Sequence, residues 1–80
     1  MSLIIYTKEG CPWCIDALAF LNKTGIEFEE REVRNNPSLM KELEQKSNQT
    51  KTPTLDLNGK ILADTDAETI EVFLKEKGIL

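Results

Sequence analysis

The chain holds two cysteines, Cys11 and Cys14, joined as Cys11-Pro12-Trp13-Cys14, and it has no histidine. Two thiols at this spacing can form a disulfide, exchange with an outside disulfide, or supply part of a metal site. The missing imidazole excludes Ser-His-Asp and Cys-His nucleophilic arrangements and most zinc sites. Reactivity must therefore come from a thiol acting as its thiolate, and an ordinary thiol with a pKa near 8.5 is only about 3% ionised at pH 7. A sulfur at a helix N-terminus meets unpaired backbone N–H groups and the positive end of the helix dipole, which brings such thiols down to roughly 3.5–7.5. Cys11, first of the pair, is the candidate nucleophile. Lys8 would add positive charge if its loop folds back over the sulfur.

The elements that must place these thiols are legible on either side. Leu3-Ile4-Ile5-Tyr6 reads as a central strand covered on both faces, ending at Thr7-Lys8-Glu9-Gly10. A helix is expected from Pro12 to about Lys23, with Cys14, Ala17, Leu18 and Leu21 on one face and Gly25 as its stop. Cys11 then lies at the strand-to-helix junction. Cys14 lies on the core-facing stripe and suits the resolving role. A second strand is expected over Ile26 to Val33, where Glu29-Glu30-Arg31-Glu32 reads as a solvated, charge-protected edge. Asn36-Pro37 starts a short second helix that carries Leu39, Met40 and Leu43, with Met40 as core filler, and ends before Ser47-Asn48. Asn58-Gly59 joins Thr54–Leu57 to Lys60–Ala63 as a hairpin. Thr65-x-x-Glu68 reads as a capping box for a third helix, with Ala67, Ile70, Phe73 and Leu74 on one face and an end near Gly78.

The order βαβαββα combines a right-handed βαβ unit with a hairpin and predicts an α/β thioredoxin-like fold: a four-stranded mixed sheet with helices on both faces. The 80 residues leave room for one domain, expected to span 1–80. Net charge is −4, without a basic run, which disfavours nucleic acid and anionic membrane as partners. No stretch resembles a signal peptide or a membrane span, so a cytoplasmic monomer is expected. Without an export signal a structural disulfide is the weaker reading of the cysteines. Half of an intermolecular zinc or iron–sulfur site would need two further ligands from outside the chain. A redox dithiol fits the strand, loop and helix context best, and no metal is expected.

Over nearly its whole length the chain resembles a dithiol glutaredoxin. Tyr6-Thr7-Lys8-Glu9-Gly10-Cys11-Pro12-Trp13-Cys14 is similar to that family's active-site stretch, with Trp13 where tyrosine is commonest. Thr50-Lys51-Thr52-Pro53 is similar to its Thr-Val-Pro loop, and Thr65-Asp66 to the pair opening its last helix. Ala63-Asp64 departs from a usual Gly-Gly. The resemblance implies catalysis by Cys11 and Cys14 with glutathione as reducing co-substrate and disulfide-containing or glutathionylated proteins as partners. It also implies a glutathione site of Lys8, Trp13, Gln49, Lys51, Thr52, Pro53, Thr65 and Asp66, with a cis Thr52–Pro53 bond. In that site Lys8, Lys51 and Gln49 would meet the glycyl carboxylate, the Thr52 backbone the cysteinyl residue, and the third helix with Asp66 the γ-glutamyl end. Trp13 would cover the peptide. Plain solvation also accounts for both lysines, and dipole compensation for Asp66. Two alternatives stay open: recycling by a thioredoxin-reductase-type flavoenzyme, and carriage of an iron–sulfur cluster ligated by glutathione.

Overall fold

A computed structural model describes residues 1–80. The elements run β1 (Leu3–Thr7), α1 (Pro12–Thr24), β2 (Glu29–Glu32), α2 (Pro37–Ser47), β3 (Thr54–Leu57), β4 (Lys60–Leu62) and α3 (Ala67–Glu76). They form one four-stranded sheet in the order β2-β1-β3-β4, with β1 parallel to β2 and the other two pairings antiparallel. This is the expected βαβαββα architecture.

Alternation along β1 and β3 builds two cores. Leu3 and Ile5 join Leu55 and Leu57 on one face, covered by Ala17 and Leu21 of α1 and by Ile70 and Leu74 of α3. Ile4 and Tyr6 point the other way, against Val33 and Leu43, with Leu39 and Met40 of α2 half-buried beside them. The second face is also the polar one. The buried Tyr6 hydroxyl donates to Glu42, which also accepts from Arg31, and Lys46 Nζ donates to Asp56 Oδ2 at 2.8 Å while lying over the Tyr6 ring. These bonds tie α2 to β1, β2 and β3 and satisfy groups that would otherwise be buried unpaired.

Turn chemistry follows the residues. Asn58 and Gly59 both have positive φ, as a two-residue hairpin requires, and Gly25 ends α1 at φ 75°. Three expectations need correction. The second strand is shorter than Ile26–Val33, because Ile26 and Phe28 turn into the core before pairing begins at Glu29. Its charged run is also more than a solvated edge: Glu30 accepts from Thr7 Oγ1, and Glu32 accepts from the N–H groups of Glu9, Arg34 and Asn35. Third, Thr65 does not cap α3. Its N–H is tied to Pro53 O at 2.8 Å and its side chain is buried, whereas extended Asp66 places Oδ1 2.8 Å from the Thr69 N–H and takes the N-cap.

Candidate functional site

The loop from β1 to α1 turns back on itself through a Cys11 N–H bond to Lys8 O at 3.1 Å, with Gly10 in the left-handed region at φ 82°. The turn leaves Cys11 as the N-cap of α1, immediately before Pro12 at the first helical position, where the missing N–H is harmless. Cys11 Sγ itself performs the capping, accepting the Cys14 N–H at 3.2 Å. Thr52 Oγ1 lies 3.9 Å from the same sulfur.

The two free thiols have different surroundings. Partial burial pushes the Cys11 pKa up, but the Cys14 thiol and N–H, the Thr52 hydroxyl and the Trp13 N–H together outweigh it, and the thiol is held below its ordinary value. Cys14 is 2% exposed on the buried stripe of α1. Burial, and then its contact with Cys11, push its thiol above the ordinary value.

Cys11 opens into a cleft of about 350 Å³. Lys8 and Trp13 border it beside the cysteine, Lys51 and Thr52 from the loop before β3, and Asp64, Thr65 and Asp66 from the segment leading into α3. The fold thus gathers seven of the ten expected residues around one opening. Cys14 lies beneath Cys11. Pro53 is buried behind Thr52, and the bond between them is cis. Trp13 is 63% exposed and stands over the opening. Gln49 is not brought to the cleft: its amide nitrogen donates to Ser47 Oγ and Thr54 Oγ1, and its oxygen accepts the Lys51 N–H at 2.6 Å. Its polar atoms brace the loop that carries Lys51. Asp66 spends its carboxylate on the α3 cap, and the Thr69 N–H holds that carboxyl below its usual range.

Two contributors were not among the expected site residues. Thr54 is fully buried, and its hydroxyl donates to Lys51 O at 2.8 Å while accepting from Gln49 and from the Asp64 N–H at 3.3 Å. One hydroxyl therefore positions both sides of the cleft; its place straight after Pro53, at the opening of β3, was the available signal. Asp64, which the sequence marks as a departure from Gly-Gly bearing on ligand affinity, stands in the cleft wall at φ 49°, with Oδ2 3.9 Å from Lys51 Nζ. Thr65 Oγ1, at the cleft border and buried, has no hydrogen-bond partner within the chain.

The glutaredoxin family model matches residues 3–62. Glutaredoxin 3 of Escherichia coli K12 is 32% identical over 62 residues, which span 78% of this chain and 75% of that one. Among solved structures, the thioredoxin-like protein BC3987 superposes with a TM-score of 0.82 at 25% identity, covering 91% of this chain and 100% of its own. The solution structure of a glutaredoxin from Brucella melitensis gives a TM-score of 0.68 at 28% identity, covering 98% and 82%. No helix is long and apolar enough to cross a membrane. A thiol at the head of α1, a second thiol buried one turn below, and a family match across both and across the loop facing them lead to one conclusion: the chain belongs to the glutaredoxin family of thiol–disulfide oxidoreductases.

Proposed function

We propose that the protein reduces protein disulfides and glutathione mixed disulfides through Cys11 and Cys14, with glutathione as the source of electrons. The observation that carries this reading is the position of Cys11 Sγ. It caps α1, has a lowered pKa, and faces a cleft that also presents two ammonium groups and the unpartnered Thr65 hydroxyl.

The Cys11 thiolate attacks one sulfur of the substrate disulfide. A bond forms between that sulfur and Cys11, and the other sulfur departs as a thiolate. With a glutathionylated protein, Cys11 takes the glutathionyl sulfur and the protein thiol leaves. A second glutathione thiolate then attacks the glutathionyl sulfur, freeing Cys11 and forming glutathione disulfide. With a protein disulfide, Cys14 attacks Cys11 Sγ, expels the substrate thiol and leaves a Cys11–Cys14 disulfide, which two glutathiones reduce. In this reading Lys8 and Lys51 meet the glycyl carboxylate of glutathione, the Thr52 backbone lies along its cysteinyl residue, and Thr65 with the head of α3 receives the γ-glutamyl end. Trp13 covers the bound peptide.

The test is turnover of a glutathionylated peptide with glutathione, glutathione reductase and NADPH, followed by NADPH absorbance. The expected result is steady oxidation that depends on both the protein and glutathione. Oxidation only when a thioredoxin-reductase-type flavoenzyme replaces glutathione would move the protein to the flavoenzyme-recycled alternative.

A further inference from the structure

The cleft beside Cys11 contains four charged side chains, Lys8, Lys51, Asp64 and Asp66. They are not equivalent: the backbone of Asp64 and the carboxylate of Asp66 are held, whereas Lys51 is a long exposed arm. Asp64 has a short side chain on a left-handed residue whose N–H is bonded to the buried Thr54 hydroxyl, and the next N–H is bonded to Pro53 O. Asp66 is pinned by its cap bond to Thr69. Lys51 is 74% exposed on a four-carbon arm and reaches Asp64 Oδ2 at 3.9 Å. The positive head of α1 is spent on Cys11 Sγ, and that of α3 is met by Asp66. A ligand carboxylate arriving here must compete with Asp64 for Lys51. A ligand cation finds a carboxylate already in place.

We propose that Asp64 is a specificity-determining residue: its carboxylate in the cleft wall offsets Lys51 and biases Cys11 against disulfides flanked by anionic groups and toward disulfides flanked by lysine or arginine. This rests on the reading of Cys11 as the attacking thiol, and names the preferred substrate class as protein disulfides in basic surroundings. Glutathione, with two carboxylates and one ammonium, is admitted but not favoured.

The experiment uses pre-reduced protein as the electron source, so that no recycling reductant influences the result. The substrates are three end-blocked tripeptides, X-Cys-Gly with X as Lys, Gln or Glu, each joined to 2-mercaptoethanol as a mixed disulfide. Cys11 attacks the peptide sulfur and 2-mercaptoethanol leaves; Cys14 then attacks Cys11 and expels the peptide thiol. One disulfide is reduced to two thiols while the Cys11 and Cys14 thiols become one disulfide. Rapid quenching with an alkylating agent and mass spectrometry gives the rate constants.

At low ionic strength the wild type should favour the Lys over the Glu peptide by about threefold or more, as expected of one partly exposed charge contact. Asp64→Asn should bring that ratio near one, and Lys51→Gln should widen it by leaving Asp64 unopposed. Asp64→Gly, compatible with the positive φ, provides a second variant if the asparagine form folds poorly. Equal Lys and Glu rates in the wild type, a ratio that survives both Asp64 substitutions, or a ratio that narrows in Lys51→Gln would each overturn the proposal. Failure of the wild type to reduce even the Gln peptide would also remove the thiol-exchange reading beneath it.

Discussion

At the scale of the residue, the two thiols share a motif but not an environment. Cys11 is partly exposed and receives the Cys14 N–H, whereas Cys14 is closed off in the α1 stripe. Cys11→Ser should abolish attack on any disulfide, because no other exposed thiol exists. Cys14→Ser should still remove glutathione from a mixed disulfide and lose mainly the reduction of protein disulfides, since only the latter needs an internal resolving thiol. Equal loss in both variants would contradict the division of roles. Ionisation provides a second check. A lowered Cys11 pKa means the thiolate persists as pH falls below the ordinary thiol range, so alkylation of the reduced protein should stay fast there and slow only through the lowered value. A single midpoint near about 8.5 for both thiols would count against activation.

At the scale of the element, local bonds determine where helices begin and how they dock. Asp66 caps α3 while Thr65 is pulled into the core by its N–H bond to Pro53. Asp66→Ala should therefore lower Tm by a few degrees, and Thr65→Ala, which loses no hydrogen bond, should change it less. Thermal unfolding monitored by circular dichroism would decide, with the reverse order refuting the cap assignment. Helix α2 is held through Glu42. Removing one of its donors in Tyr6→Phe should cost about 1–2 kcal/mol in urea unfolding. The Tyr6 hydroxyl, and then Arg31, outweigh partial burial and keep the Glu42 carboxyl below its usual range. A depressed carboxyl stabilises the fold above its unfolded pKa of about 4.3 and loses that contribution as pH falls through the folded value. Glu42→Gln should thus flatten the acid limb of the stability curve below about pH 4 and leave the neutral region parallel to wild type.

At the scale of the whole molecule, the sheet separates two tasks. One face, packed by α1 and α3, brings the starts of both helices to the same rim, where Cys11 and the Thr65-Asp66 pair meet the loop before β3. The other face, packed by α2, carries the ionic network and no part of the cleft. A chain of 80 residues has little core to spare, and Leu55 lies at 0% exposure in the larger cluster on a central strand. Leu55→Ala should cost about 2–5 kcal/mol, a large fraction of the roughly 5–15 kcal/mol typical of a small domain. Urea unfolding would measure it. A loss under about 1 kcal/mol would mean that the core closes over the missing side chain.

Local patterns in the sequence were enough to place the elements and the thiols. A short continuous apolar run marked β1, the 3.6-residue stripe turned Cys14 inward and left Cys11 at the helix head, and Asn58-Gly59 named its own turn and the strands flanking it, because each signal depends on neighbours within a few residues. Gln49 turned to its near neighbours Ser47, Lys51 and Thr54, whereas the start of β2 and the loss of Thr65 from the α3 cap depended on partners farther along the chain, β1 and Pro53, and no local pattern contains them. The same holds for the Tyr6, Arg31, Glu42, Lys46 and Asp56 network, whose members come from four elements. Asp64 shows the division most sharply. Its identity and its departure from glycine were visible in the sequence, but only the folded chain sets its carboxylate against Lys51 in the wall beside Cys11, because that contact closes across two loops that meet only when β3 is in place.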